Sequence, residues 1–225
     1  MNNIMEQKQQ IKLAVDCIIF GFNNNRLELL LVHRGFEPEK GKWSLIGGYV
    51  GNEEDLDDAA NRVLYNLSGL ENIYMEQVRT WGEANRDPSG RVVSTTYSAM
   101  ILKSEYNAEL VNKYDAQWFP IDELPELIFD HRAMVDSAVR RLRRRVRNYP
   151  IAFNLLPEKF TLPQLQMLYE GILSEPLDKR NFRRKVAQMN YFIKLEEKDM
   201  SESRKGAYYY RFDEALYAKE LNFNL

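Results

Sequence analysis

The chain has little of what metal and disulfide chemistry needs. Its 225 residues include one cysteine, Cys17, and two histidines, His33 and His131. A lone cysteine excludes an internal disulfide, and Cys17 lies in an apolar, strand-like run where a packed thiol is expected. Two histidines and one cysteine give no zinc-binding spacing. No apolar run approaches the ~20 residues of a membrane-spanning helix, so no membrane partner is expected. The opening residues, MNNIMEQKQQ, lack the apolar core of a secretory signal, and the expectation is a cytoplasmic protein. An excess of one charge is also missing: the net charge is −2, and residues 151–225 carry 12 basic against 11 acidic side chains. Bulk charge therefore names no partner. What is there, 44% hydrophobic and 28% charged residues, is the composition of a globular protein with one large or two modest cores.

In chain order, apolar residues over 11–22, the turn Asn23-Asn24-Asn25 and the apolar run 27–32 predict a hairpin across 11–34. A loop with Pro38 leads to a short strand over 43–50. Asn52 is expected to cap a helix with Glu53, Glu54 and Asp55 in its first turn. That helix carries an apolar stripe of Leu56, Ala60, Val63 and Leu67. Strands over 73–84 and 91–102 are joined by Arg86-Asp87-Pro88-Ser89-Gly90, a strong turn signal. Phe129-Asp130-His131 opens a helix whose buried face holds Val135, Val139, Leu142 and Val146. Its end bears Arg140, Arg141, Arg143, Arg144, Arg145 and Arg147. Such a run is usually a solvated face, but its place before Asn148-Tyr149-Pro150 at a domain junction suits contacts to DNA phosphates.

Residues 151–225 read as a second unit. Thr161-Leu162-Pro163-Gln164 matches a capping box, and Leu165, Leu168, Tyr169 and Ile172 share one face, giving a helix over 161–174. Ser174-Glu175-Pro176-Leu177 breaks it, and Asp178 caps a second helix whose Phe182, Val186 and Met189 face inward. Arg180, Asn181, Arg184 and Gln188 lie on the opposite face, flanked by Lys179, Arg183 and Lys185. Two helices across a tight break, the second basic outside, is the layout of a helix-turn-helix. Two β-prone runs, 191–195 and 207–212, follow as a wing, with Arg204 and Lys205 in the loop between them. Arg180, Asn181, Arg184 and Gln188 are the expected readers of base edges. Lys179, Arg183, Lys185, Arg204 and Lys205 are the expected holders of phosphates.

Residues 48–70, GYVGNEEDLDDAANRVLYNLSGL, resemble the Nudix box. Gly48, Glu54, Arg62, Leu64, Gly69 and Leu70 stand in register with it. The three glutamates that hold Mg²⁺ in that family share one helical face at i, i+3 and i+4, and here their places hold Val63, Asn66 and Leu67. Val63 and Leu67 supply no oxygen. The resemblance therefore implies a scaffold without catalytic or metal-binding residues, in which Glu54 and Arg62 brace the loop against the helix.

A Nudix-like domain followed by LPEKFTLPQLQMLYEGILSEPLDKRNFRRKV is similar to the Nudix-related transcriptional regulators of bacteria. The fold this implies is α+β: an N-terminal Nudix-like α/β/α sandwich (1–148) that senses an effector and dimerises, and a C-terminal winged helix-turn-helix domain (149–225). The implied partners are double-stranded DNA with a palindromic operator, a small-molecule effector and a second copy of the chain; no cofactor is implied. Some relatives respond to ADP-ribose and govern NAD metabolism, and a Bacteroidetes branch responds to L-arabinose and governs sugar use. Loss of the metal-binding carboxylates removes the usual means of holding a diphosphate, although Arg79, Arg86 and Arg91 could still hold phosphates without a metal. Chiefly on the resemblance to the arabinose-responsive branch, the expectation here is an L-arabinose-responsive repressor. Lys12, Trp43, Arg79, Trp81, Glu83 and Tyr97 are the candidate lining of the effector pocket. Two alternatives stand beside it: an ADP-ribose-responsive regulator, and an active nucleoside-diphosphate hydrolase using Glu53 or Glu83 as replacement ligands.

Overall fold

The computed structural model describes residues 10–23, 25–103, 115–149, 151–201 and 205–223. The chain divides into two compact units, and the last change of unit falls between Arg141 and Leu142.

The first unit is built on a seven-stranded sheet. The predicted hairpin forms from β1 (Lys12–Asn23) and β2 (Arg26–His33), with Asn25 in the left-handed region at φ 63°. Both strands bury unbroken runs rather than alternate residues, as strands covered on both faces do. The segment expected as one strand over 43–50 is two. β3 (Trp43–Ser44) pairs with β2, and β4 (Ile46–Tyr49) pairs with β1. β5 (Glu76–Trp81) and β6 (Val92–Met100) are the expected antiparallel pair, shorter than predicted. β7 (Ala116–Pro120) adds to β2, and the strand order along the main path is β3-β2-β1-β6-β5.

Helix α1 (Leu56–Ser68) carries the box residues. Its cap is Asp55, whose carboxylate accepts from Asp58 N at 2.8 Å, so the expected cap Asn52 lies outside the helix. The buried face is Ala59, Ala60, Val63, Leu64 and Ser68, with Leu56 and Leu67 half-buried at its margins. Helix α2 (His131–Asn148) buries all four predicted residues, Val135, Val139, Leu142 and Val146.

The second unit has the helix–helix–wing order read from the sequence. A 3₁₀ turn (Ile151–Leu155) and the short β8 (Phe160–Thr161) precede helix α3 (Leu162–Leu173). The capping box at Thr161 is complete: its hydroxyl accepts from Gln164 N at 3.3 Å, and the Gln164 side chain accepts from Thr161 N at 2.8 Å. α3 stops at Ser174, φ 56°. Glu170 accepts from Leu177 N at 2.9 Å and Gln166 donates to Leu177 O at 3.1 Å, strapping the break before α4 (Lys179–Val186). β9 (Phe192–Asp199) and β10 (Ala207–Phe212) form the wing, and β8 pairs with β10 in a three-stranded sheet. Phe160, Leu165, Val186, Tyr191 and Phe192 make the core, with Phe182 and Met189 packed on it as the spacing predicted. A final helix, α5 (Glu214–Phe223), was not expected from the sequence; Leu216 and Tyr217 pack on the same core.

The arginine run at the end of α2 is not uniformly a solvated face. Arg143 donates to Ile172 O at 2.8 Å and to the Ser174 hydroxyl at 2.6 Å, and Arg147 lies 3.1 Å from Glu175. A cation on the last carbonyls of α3 meets both unsatisfied acceptors and the negative end of the helix dipole.

Candidate ligand recess and nucleic-acid interface

The box positions explain one another. Glu54 sits before α1 and receives Arg62 through two bonds, 2.8 Å from Nε and 2.5 Å from a terminal nitrogen, while Gly51 N donates to it at 2.5 Å. These bonds, the Arg62 guanidinium first, hold its carboxyl down to about 2. Arg62 also donates to Tyr49 O at 2.9 Å, so the pair ties the loop to the helix as expected. Behind it, Gly48 packs on Val63: a Cβ on Gly48 would fall 2.8 Å from a Val63 methyl. Val63 is buried, Asn66 exposed and Leu67 half-buried. Among the described residues no group of three His, Cys, Asp or Glu side chains converges as a metal site would require.

On the other side of β4 lies a recess. Its walls include Asp16 and Ala14 of β1, Arg34 and Phe36 after β2, Gly47 to Tyr49 of β4, Arg86, and Phe129 and His131 at the start of α2. Its floor is a buried polar network. Ser94 donates to Asp16 at 2.5 Å, and Arg86 makes two bonds to Asp130, 2.9 and 2.7 Å, while lying 3.7 Å from Asp16. His131 accepts from Leu45 N through Nδ1 at 3.1 Å, which leaves the proton on Nε2, 3.6 Å from Asp16. Burial pushes the His131 pKa below the usual histidine value despite the neighbouring carboxylates. Arg86, read from the sequence as part of a turn, is therefore committed to the interior.

Arg34 is different. Its Nε donates to Phe36 O at 3.1 Å and Pro38 O at 2.5 Å, and its guanidinium stacks over Phe36 at 4.1 Å and near Phe129 at 5.4 Å. These contacts fix the plane of the guanidinium, and Arg34 is itself part of the recess wall. No sequence signal marked it, because one arginine in a loop has no periodicity.

Of the six residues expected to line the effector pocket, Arg79 and Trp81 meet, and none is among the residues lining this recess. Lys12 lies over the Tyr49 ring at 5.0 Å, at the rim of the recess. Trp43 stacks on His33 at 3.6 Å and abuts Phe119 at 4.7 Å. Arg79 covers Trp81 at 4.6 Å on β5. Glu83 is exposed, and its carbonyl accepts from Arg91 at 3.3 Å. Tyr97 is buried on the α1 side, bonded to Asp57 and, at 2.8 Å, to Gln77. Trp81 Nε1 and Thr96 Oγ1 are buried without a partner among the described residues.

In the second unit α4 presents a basic surface. Asp178 caps it, accepting from Asn181 N at 2.7 Å. Lys179, Arg180, Asn181, Arg183, Arg184 and Lys185 are all exposed, and Arg184 donates to the Asn181 side chain at 2.9 Å. The helix ends at Val186, so Gln188 is exposed on the turn beyond it rather than on the helical face. Lys205 is exposed in the turn between β9 and β10, and Arg204 lies outside the described residues.

Comparison with known proteins agrees with this architecture. Residues 10–139 match the NUDIX domain model, and residues 152–212 match the NrtR DNA-binding winged helix domain. Over 217 residues, 94% of the chain and 85% of the relative, it is 34% identical to the ADPR responsive transcriptional repressor NtrR of Acinetobacter baylyi. The chain belongs to the NrtR family. NrtR of Shewanella oneidensis complexed with a 27mer DNA superposes with a TM-score of 0.81 at 29% identity, covering 92% of this chain and 95% of that one. The NUDIX domain of that protein complexed with ADP ribose matches 60% of this chain and 90% of that one, with a TM-score of 0.50 at 28% identity. The Nudix part is also 30% identical over 128 residues to the ADP-ribose pyrophosphatase of Methanocaldococcus jannaschii, covering 57% of this chain and 73% of the relative. Family membership fixes an α+β architecture of Nudix domain followed by DNA-binding winged helix. No helix among the described residues is long and apolar enough to cross a membrane.

Proposed function

We propose that this member of the NrtR family is a transcriptional repressor that binds a palindromic operator as a homodimer and lets go when ADP-ribose enters the Nudix recess. The observation that carries the effector is Arg34. The case for L-arabinose rests on the resemblance to the arabinose-responsive branch and on a box that lacks carboxylates to hold Mg²⁺ and, through it, a diphosphate. A guanidinium whose plane is fixed by stacking holds a diphosphate without a metal, through paired charge-assisted bonds. That objection to ADP-ribose therefore falls, and the relatives give L-arabinose no support. Phe36, Phe129 and Tyr49 supply apolar faces for the rest of the ligand.

In this reading the ligand is held and not cleaved. Val63, Asn66 and Leu67 offer no carboxylate, so the face of α1 that carries the family's glutamates does not gather the metal that would polarise a diphosphate. The basic face of α4 carries DNA recognition. Arg180, Asn181, Arg184 and Gln188 would read base edges, with Arg184 held by Asn181. Lys179, Arg183, Lys185, Arg204 and Lys205 would hold phosphates.

The test is selection from a random duplex pool, followed by titration of the enriched duplex with ADP-ribose and with L-arabinose. The proposal expects a palindrome released by ADP-ribose alone. Release by L-arabinose alone would transfer the effector to the sugar, and no enrichment at low salt would end the DNA-binding reading. The similarity to the archaeal pyrophosphatase favours a second reading, a hydrolase with Glu53 or Glu83 as replacement ligands. Mg²⁺-dependent cleavage of ADP-ribose, abolished by Glu83→Gln or Glu53→Gln, would establish it.

A further inference from the structure

The wing carries a cluster that neither the motif nor the recognition helix accounts for. Lys194 and Lys198, both exposed on β9, converge on one ring: their ammonium groups lie 3.7 and 4.5 Å from the centroid of Tyr208 on β10. β9 and β10 pair as Lys198 with Tyr208 and Lys194 with Tyr210, across an irregularity that accommodates the extra residues of β9. Residues directly opposite in an antiparallel pair share a face, and Tyr208, Tyr210 and Phe212 share one by the two-residue period. Tyr210 and Phe212 pack on the core to which α4 contributes Val186 and Phe182. The face bearing Lys194, Tyr208 and Lys198 is therefore the core side of the wing, the core to which α3 and α4 both contribute, continued past its end.

The acidic residues of the wing do not cancel this charge evenly. Glu197 is held by Lys159, at 2.8 Å through both oxygens. Asp199 is bonded by the Ser201 side chain and, at 2.9 Å, by Ser201 N, which together lower its pKa. Glu196, exposed in the irregular stretch, is the one described acidic group left beside the two lysines. Two lysines held over one aromatic ring keep their ammonium groups at a fixed spacing, with less side-chain freedom to lose on binding.

We propose that Lys194, Lys198 and Tyr208 form a strand-borne phosphate anchor, which grips the DNA backbone flanking the half-site that α4 reads. This rests on the DNA-binding reading above. The anchor adds affinity and register without sequence preference, because phosphates carry no base information. It differs in kind from Lys205, which lies in the turn before β10 and not on the paired strands.

The experiment uses the full chain and the duplex enriched by selection. Affinity is measured against salt for the wild type, Lys194→Ala, Lys198→Ala, the double variant, Tyr208→Leu and two controls. The controls are Lys40→Ala, an exposed charge of the Nudix unit, and Arg184→Ala on the recognition helix. Each wing lysine removed should lower the slope of log K against log salt by about 0.9 in magnitude. The ranking of base-substituted duplexes should not change, and Tyr208→Leu should weaken binding with the lysines still present. Lys40→Ala should leave the slope as it is. If the double variant keeps the wild-type slope while Arg184→Ala still loses discrimination, the anchor is wrong and the DNA-binding reading survives. If the wild type selects no duplex, both fall together. If the double variant changes which bases are preferred, the cluster reads sequence and the phosphate assignment is overturned.

Discussion

At the scale of single residues, Arg34 and His131 divide the work of the recess. Arg34 is held by the carbonyls of its own loop and by two aromatic rings, so its charge is available without being mobile. Hydrogen bonds to charged groups contribute about 1.5–3 kcal/mol. Arg34→Ala should therefore weaken ADP-ribose binding by roughly ten- to a hundred-fold, by calorimetry, with little change in melting temperature. An unchanged affinity would remove Arg34 from the site. His131 serves the fold. Because burial lowers its pKa, the unfolded chain takes up its proton first as pH falls. Its contribution to stability is thus complete above the ordinary histidine value of ~6.5 and is lost as the pH drops below it, with a slope of at most about 1.4 kcal/mol per pH unit. His131→Asn, which keeps an acceptor for Leu45 N, should flatten denaturant-measured stability over that window. A variant with the wild-type pH dependence would show that another group is responsible.

At the scale of elements, α1 shows how far a motif can be read. The brace between Glu54 and Arg62 was legible because the box dictates it. The packing of Gly48 on Val63 was not, since it depends on the distance between β4 and α1. Gly48→Ala should cost about 1–3 kcal/mol through overpacking. Much of that cost should vanish in a Val63→Ala background, where the methyl it meets is gone. Equal costs in the two backgrounds, by urea denaturation, would place the strain elsewhere. The winged helix was legible for a related reason: its caps, break and inward spacing are local signals, and Thr161, Gln164, Phe182 and Val186 all behave as the pattern required. Gln188 did not, because the helix closes at Val186 before reaching it. The recess was the least legible part. It gathers short contributions from β1, the loop after β2, β4, the turn at Arg86 and the start of α2, and no sequence period links them. Arg143, counted among possible phosphate contacts, instead holds the end of α3. Arg143→Ala should cost about 1–2 kcal/mol of stability, and a neutral result in thermal melts would return it to the solvated face.

At the scale of the whole molecule, one chain carries both the Nudix unit proposed to hold ADP-ribose and a DNA-binding winged helix, and linkage makes their coupling quantitative. If ADP-ribose lowers affinity for the operator by some factor, the operator must lower affinity for ADP-ribose by the same factor, commonly 5- to 150-fold. The most direct measurement is calorimetric titration of ADP-ribose into the protein in EDTA, alone and saturated with the selected duplex. The expected result is metal-free binding of intact ADP-ribose, weakened by DNA in the same proportion as ADP-ribose weakens DNA binding. Binding that needs Mg²⁺, ligand recovered as cleavage products, or affinity indifferent to the duplex would contradict it.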